Sequence, residues 1–355
     1  MEKKNRILWL DVLKFIGILE IYIGHFGKGA GNLYEFVFTH HVALFFFVSG
    51  CLEFYSKDGF LTSVKKRVKG ILVPWVFFSV ISIICAILCT HKSGSNLPQM
   101  FKVVALGCIR NRFFASGLWF LTALFVVSIM FRLLKMVKYR VIMLVIAVGI
   151  YLLTQTVMTH NPIITPSWPY NIDSALYFLI YYVLGYCGIP LIQALFSSKR
   201  RGIKILQYSC FALSTVYTAA LYFGKCLLRI CGLYSLPVIG SLADVMRSVI
   251  VIFFFSCVAY ELKKIKLLVS LGQETLYFCG NEYILRAVVP LLLSAIGLKF
   301  TVSTPITAIL LSFLLIFIGH KVLVPWQKQF ILKITSFKFK KELYDNIQQS
   351  IDKMF

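Results

Sequence analysis

Long runs of apolar residues alternate along this chain with short polar segments that are mostly basic. The runs continue for roughly 18–22 residues without the two-residue alternation of a half-buried strand, and a helix of about 20 residues crosses a hydrocarbon core. In lipid, only helices and closed barrels satisfy their backbone hydrogen bonds internally. The pattern therefore predicts an all-α, polytopic membrane helix bundle of about ten transmembrane helices. The predicted helices cover residues 7–26, 35–55, 71–90, 117–134, 140–157, 174–192, 205–223, 239–260, 275–297 and 304–325.

Two segments do not fit this pattern. Residues 97–113 are shorter and only partly apolar, which predicts an interfacial helix beside the membrane. Residues 331–355 are polar, and they predict a cytoplasmic tail after a single membrane domain that covers residues 1–330. No internal repeat is visible in this domain, which disfavours the transporter folds that are built from repeats.

Composition and charge agree with a membrane location. The chain is 59% hydrophobic, whereas soluble domains are about 45–50% apolar. The net charge of +23 comes from Lys and Arg in alternate loops, and 25 of the 37 lie on the side of the N-terminus against 8 on the opposite side. This bias predicts a multi-pass protein of the cell (cytoplasmic) membrane with both termini in the cytoplasm. It is not the charge pattern of a nucleic-acid-binding protein.

The first predicted helix contains four ionisable residues, although a charge at the centre of a span costs about 2.5–3.5 kcal/mol on insertion scales. They are Asp11, Lys14, Glu20 and His25. Lys14 and His25 lie within about 20° of one helical face and about 16 Å apart along the axis. Asp11 precedes Lys14 by one turn and is expected to pair with it. One face therefore carries an ion pair near the cytoplasmic end and an imidazole near the outer end.

Several later residues admit both a functional and a structural interpretation. Glu282 lies one turn before Arg286, so the two can neutralise each other, or Glu282 can orient His25 or bind acceptor hydroxyls. His40 and His41 lie on the same membrane side as His25, where we favour a position at the level of the headgroups over a role in the acceptor site. The ten cysteines contain no CxxC pair, and the histidines lack the spacing of a metal site.

Arg67 and Trp119 also admit a structural interpretation beside a functional one. Arg67 lies in a basic loop, and Trp119 begins a predicted helix, where tryptophan commonly belongs to the interfacial aromatic belt. A functional role would place Arg67 near the phosphates of a nucleotide donor on the cytoplasmic side.

Several stretches resemble, in the same order, the motifs of the acyltransferase-3 family of membrane acyltransferases, which modify surface polysaccharides and related glycans. In the first predicted helix, an aspartate is followed by a basic residue, ten further residues and a histidine. The stretches ALFFFVSGCL, KKRVKGILVPW, GLWFLTALF and GQETLYFCGNEYI are similar to later motifs. The resemblance extends over about residues 1–330, and the hydrolase-like domain that is fused to some members is not expected here.

Three positions depart from the family pattern. The basic residue of the first helix is commonly Arg, but here it is Lys14. Of the two arginines in the family's RxxR segment, the first corresponds to Arg67 and the second to Gly70. Lys69 flanks the second position, but lysine lacks the bidentate fork of arginine. The stretch GNE occupies the place where many members have a histidine.

The resemblance implies an enzyme that transfers an acyl group, with acetyl expected, from acyl-CoA to a hydroxyl of a cell-envelope or exported glycan or glycolipid. His25 and Glu282 are then the predicted catalytic residues, with His25 as a general base or a transient acyl carrier. Substrate or cofactor binding is predicted for Lys14, Asp11, Arg67, Lys69, Trp119 and Asn281. The expected partners are the lipid bilayer, the donor, the acceptor and other proteins of envelope biosynthesis; no metal is expected. The alternative is a transporter or flippase for a glycan or a small solute, because carriers also bury ion pairs.

Overall fold

The computed structural model describes residues 6–90, 97–115, 117–234, 236–298 and 301–336, and this part of the chain contains helices and turns but no strand. The α-helices in chain order are α1 (Leu8–Gly24), α2 (Asn32–Phe38), α3 (His41–Phe54), α4 (Phe60–Arg67), α5 (Val73–Thr90), α6 (Leu97–Ala105), α7 (Trp119–Leu134), α8 (Arg140–Thr156), α9 (Ile172–Ser197), α10 (Arg201–Tyr222), α11 (Leu227–Ile230), α12 (Pro237–Leu262), α13 (Lys266–Gln273), α14 (Thr275–Ala295), α15 (Pro305–Ile318) and α16 (Val324–Ser336). The π-helical turns Val68–Leu72 and Gly319–Leu323 join α4 to α5 and α15 to α16. The predicted all-α fold is therefore confirmed.

Each of the ten predicted spans coincides with one helix or with two consecutive helices. Within the described residues, six helical stretches are long and apolar enough to cross a membrane. They are Asn32–Phe54, Phe60–Cys89, Pro169–Ser197, Pro237–Leu262, Thr275–Ala295 and Pro305–Thr335. Helices α7 and α8 are apolar but shorter, and α1 has 17 residues with three charged side chains. These helices support a multi-pass membrane protein, whereas the count of about ten spans stays a prediction.

The two exceptional segments are only partly as predicted. The segment expected to be interfacial is helical over Leu97–Ala105 and then turns through Gly107, Cys108 and Asn111, which have positive φ angles. The predicted tail begins inside α16, because this helix continues to Ser336. Residues 337–355 of that tail lie outside the described residues.

Helix α1 lies inside the bundle, against α3, α12, α13, α14 and α15. Its side chains are buried on most sides, including those of Trp9, Leu13 and Tyr22. The hydroxyl of Tyr22 donates a hydrogen bond of 2.9 Å to the backbone carbonyl of Phe278 in α14. The charged residues of α1 therefore face protein rather than lipid, which is the usual position of ionisable groups in membrane helices.

Helices α3 and α9 cross at two glycines. A Cβ atom on Gly50 would lie 1.9 Å from the carbonyl oxygen of Tyr182, and a Cβ atom on Gly185 would lie 1.9 Å from the carbonyl oxygen of Phe47. Small residues are the usual means by which membrane helices approach each other closely. The thiol of Cys51 adds a hydrogen bond to the carbonyl of Gly185 at 3.3 Å. The crossing fixes the middle of α3 against α9.

We expect Gly185→Ala to lower the stability of the protein, because the added methyl group would overlap the backbone of α3. Backbone cannot move aside as a flexible side chain can, and overpacking a close-packed core typically costs about 1–3 kcal/mol. The measurement is the thermal unfolding temperature of the purified protein in detergent. Gly188→Ala is the matched control in the same helix, since a Cβ atom there meets nothing within 4 Å. If both variants melted at the wild-type temperature, the close crossing would be wrong.

Candidate active site

The C-terminal end of α1 places His25 beside α14. The Nε2 atom of His25 lies 3.8 Å from a carboxylate oxygen of Glu282, whose side chain is fully buried. Arg286, one turn further along α14, pairs with Glu282 and also donates a hydrogen bond of 3.4 Å to the backbone carbonyl of His25. The expected pairing of Glu282 with Arg286 is therefore present, and the same carboxylate faces the imidazole.

His25 lines a cavity of about 340 Å³ at the ends of α1, α2, α3 and α7. Its wall also includes the side chains of Tyr34, His41, Arg110 and Trp119. The guanidinium of Arg110 lies over the indole of Trp119, with 4.5 Å between its carbon and the ring centroid. The indole is 7% exposed, so Trp119 belongs to the cavity wall rather than to an interfacial aromatic belt.

A tight turn between α6 and α7 brings Arg110 to this cavity. Gly107 has a φ of +87°, and a Cβ atom there would lie 2.6 Å from the Cα of Tyr170, so this position requires glycine. The side-chain oxygen of Asn171 accepts a hydrogen bond of 2.8 Å from the backbone amide of Arg110. The amide nitrogen of Asn171 donates one of 3.0 Å to the carbonyl of Gly107. The turn is therefore held at Gly107 and at Arg110 by one buried asparagine.

The two histidines at the start of α3 are buried. The Nδ1 atom of His41 lies 2.6 Å from the carbonyl oxygen of Val37, so this nitrogen is the donor, and the ring contributes to the cavity wall. The Nε2 atom of His40 lies 2.8 Å from a carboxylate oxygen of Glu20 in α1, and the His40 ring stacks on Phe255. Glu20 therefore supplies a partner for His40 inside the protein, and the expected position of the two histidines at the level of the headgroups stays a prediction.

At the opposite end of α3, Glu53 forms ion pairs with two arginines. Arg67 at the end of α4 and Arg132 near the end of α7 both pair with the buried carboxylate, Arg132 at 2.5 Å. The hydroxyl of Tyr182 lies 3.3 Å from Arg67 and 3.4 Å from Glu53. A cavity of about 330 Å³ beside these residues also includes Lys66 in its wall. Because two guanidinium groups share one carboxylate, this cluster keeps a net positive charge.

The two lysines predicted to bind substrate lie apart from the cavity of His25. Lys14 forms the expected ion pair with Asp11 at 2.8 Å, and Asp11 also accepts a hydrogen bond of 2.6 Å from Arg6. Lys69 is exposed on the π-helical turn that follows α4. The wall of the cavity at His25 includes neither lysine.

Asn281 lies outside the wall of the cavity at His25. Its side-chain amide exchanges two buried hydrogen bonds, of 2.7 and 2.8 Å, with the amide of Gln327 in α16. This reciprocal pair connects α14 to α16 and lies outside the wall of the cavity at His25. The structure thus brings together three of the predicted site residues, His25, Glu282 and Trp119, and places the others, Lys14, Asp11, Arg67, Lys69 and Asn281, elsewhere.

Sequence reasoning missed Arg110, the cavity-facing position of His41, and the Glu53 cluster. Arg110 is one of the eight basic residues on the outer side, and a charge in a loop carries no signal of an inward orientation. For Glu53 a signal exists, because an acidic residue close to the end of an apolar run needs a cation nearby. Nothing in the sequence indicates that Arg132 supplies one.

Comparison with known proteins gives one match. Residues 7–163, which are less than half of the chain, match the family model of the acyltransferase-3 acyltransferase domain. This region is similar to acyltransferase-3 domains. It contains α1 to α8, and hence the cavity residues His25, His41, Arg110 and Trp119, whereas Glu282 lies beyond it. The family indicates that the protein is an acyltransferase, which favours the enzyme over the transporter alternative. No curated protein and no solved structure matches the chain.

We expect Glu53→Gln to destabilise the acyltransferase, because Arg67 and Arg132 would keep their charges inside the protein without a carboxylate. Removing one partner of a buried ion pair typically costs about 3–5 kcal/mol. The purified variant in detergent should therefore unfold at a clearly lower temperature than the wild-type protein.

Asp58→Asn is the matched control at the same end of α3. Lys66 donates a hydrogen bond of 2.6 Å to Asp58 and thereby lowers the pKa of this carboxyl group. This pair is solvent-exposed, and such pairs contribute little to stability. The control should melt close to the wild type, and equal melting of both variants would contradict the importance of the buried cluster.

Proposed function

We propose that this acyltransferase moves a small acyl group, acetyl, from cytoplasmic acyl-CoA to a hydroxyl of a cell-envelope or exported glycan or glycolipid. One observation carries the proposal: within the wall of a cavity of the region similar to acyltransferase-3 domains, His25 faces a buried carboxylate that Arg286 neutralises. Imidazole is the side chain that most readily accepts and returns a proton near neutral pH, and the carboxylate beside His25 can orient its ring. The arrangement is therefore suited to remove a proton from an acceptor hydroxyl.

In the first route, His25 acts as a general base. It takes the proton of the acceptor hydroxyl while the hydroxyl oxygen attacks the carbonyl carbon of the thioester. The carbon–sulfur bond then breaks, the ester forms, and the thiolate of CoA receives the proton from the imidazolium. Glu282 stabilises the imidazolium by its charge, and Arg286 holds the carboxylate in place. In the second route, His25 itself carries the acyl group from the thioester to the hydroxyl.

The donor is expected at the end of the bundle that carries the Glu53 cluster. The excess positive charge of Arg67 and Arg132, together with exposed Lys69, suits the phosphates of CoA. The positive-inside bias of the loops assigns this end to the cytoplasm. Lys14 lies about 16 Å below His25 along the continuous helix α1, a distance that an extended thioester arm would follow.

Changing His25→Ala should abolish acyl transfer while leaving membrane insertion and folding intact. A positioned general base contributes about 10²–10⁴-fold to a rate, and loss of an acyl carrier would remove the second route entirely. The measurement is transfer of radiolabelled acetyl from acetyl-CoA to envelope glycans in membranes that contain the protein. His320→Gln serves as the control, because His320 pairs with Glu274 outside the cavity wall and should retain transfer.

The two routes differ in whether the protein is labelled. When purified protein meets labelled acetyl-CoA without an acceptor, a hydroxylamine-sensitive label that His25→Ala loses would identify the acyl carrier. Normal transfer without such a label would identify the general base. Full-rate transfer by His25→Ala would remove His25 from the mechanism. A protein that binds acetyl-CoA but does not consume it beside an acceptor would overturn the proposed function in favour of a carrier.

A further inference from the structure

Arg110 carries a positive charge that no carboxylate among the described residues neutralises. Its side chain is half-buried, and its Nη1 atom is buried without a hydrogen-bond partner. A guanidinium group remains charged in proteins, and a buried ion without a counter-charge is costly. Ionisable groups retained inside a membrane bundle commonly mark the path or site of a ligand.

The carboxylates around the cavity are already engaged. Glu282 pairs with Arg286, and Glu20 lies against His40. In the adjoining part of the bundle, Arg247 is neutralised by an aspartate one turn earlier in α12, at 2.9 Å. Each of these carboxylates already has a basic partner, so none of them neutralises Arg110. A bound ligand with a negative charge would neutralise it.

Arg110 borders two cavities at once. The first is the cavity of His25, and the second, of about 160 Å³, has the side chains of Tyr177, Tyr181 and Ser248 in its wall. Both walls include Arg110 and His41. Aromatic rings and hydroxyl groups of this kind suit a sugar, so one acceptor can extend from the catalytic imidazole past the guanidinium into the second cavity.

The guanidinium is also held in position before any ligand arrives. It lies on the indole of Trp119, and the backbone beside it is fixed by Asn171. A planar fork with restricted freedom loses little entropy when it binds a carboxylate or a phosphate through two parallel hydrogen bonds.

We propose that Arg110 binds an anionic group, a carboxylate or a phosphate, of the acceptor. The acceptor would then be an acidic sugar or a sugar phosphate rather than a neutral glycan. The identification of the ligand as the acyl acceptor rests on the proposed function. Binding of an anion at Arg110 does not itself depend on acyl transfer. The phosphates of CoA are assigned to the Glu53 cluster at the other end of α3, so they do not compete for Arg110.

The test measures binding of small sugars to the purified protein in nanodiscs of phosphatidylcholine. The probes are glucuronate, glucose 1-phosphate and neutral glucose, and the readouts are calorimetric affinity and the shift of the unfolding temperature. We expect at least one charged sugar to bind at least tenfold more tightly than glucose. Arg110→Gln should lose this preference, and Arg110→Lys should keep part of it, because lysine retains the charge but not the fork.

Arg112→Gln is the matched control, since Arg112 belongs to the same loop but is exposed and lies outside the wall of both cavities. It should bind the charged sugars as the wild-type protein does. If Arg110→Gln fails to fold, the comparison of Arg110→Lys with Arg112→Lys replaces it. Equal binding of charged and neutral sugars by the wild type, or an unchanged preference in the Arg110 variants, would show the assignment to be wrong.

Two further experiments distinguish the acceptor from a lipid headgroup, and the anion site from the catalytic mechanism. In nanodiscs that contain phosphatidylglycerol, loss of charged-sugar binding would show that Arg110 holds a lipid headgroup, which overturns the assignment to the acceptor. His25→Ala should still bind the charged sugars more tightly than glucose, because Arg110 is unchanged, although it transfers no acyl group. If His25→Ala transferred acetyl at full rate, the proposed mechanism would fail while the anion site of Arg110 could still be measured.

Discussion

Each carboxylate buried in the described part of this bundle faces a basic side chain, and this requirement determines which helices meet. Lipid supplies neither water nor counter-ions, so a carboxylate that entered the interior alone would be too costly to keep. Three of these carboxylates connect elements far apart in the chain or lie at the candidate active site: Glu20 with His40, Glu53 with Arg67 and Arg132, and Glu282 with Arg286 and His25. The polar groups that suit the protein for chemistry are thus the same groups that specify its helix packing.

Helix α1 shows how the bundle accommodates this requirement. Its sequence is too polar to lie in lipid, and the structure surrounds it with other helices on most sides. Asp11 and Lys14 near one end of the helix and His25 at the other are therefore shielded by protein. A less polar helix could lie against lipid without these neighbours. It would then place no imidazole in the wall of the cavity.

The sequence predicts what depends on local patterns. The apolar runs predict the helices because their length reflects the thickness of the bilayer, and the pairs Asp11–Lys14 and Glu282–Arg286 follow from the pitch of one helix. The approach of His25 to Glu282 joins residues far apart in the chain, so it is one of several roles that the sequence allows for Glu282, and no spacing predicts it. The orientation of Arg110 depends on a turn that Asn171 closes, and the amide pair of Asn281 depends on a partner in another helix. Such contacts have no periodic signal in one sequence.

Helix α3 begins at His41, beside the cavity of His25, and contains Glu53 in its last turn, beside the cavity with Lys66. Glu53 follows His41 by twelve positions, which correspond to about 18 Å of helix. Because His41 and Glu53 belong to one continuous helix that packs closely on α9, the helix itself sets the distance between them. Helix α3 therefore sets the distance between the two cavities. A donor would be selected by its reach as much as by its affinity: a thioester on a short arm would bind at one end and never deliver its acyl group to the other.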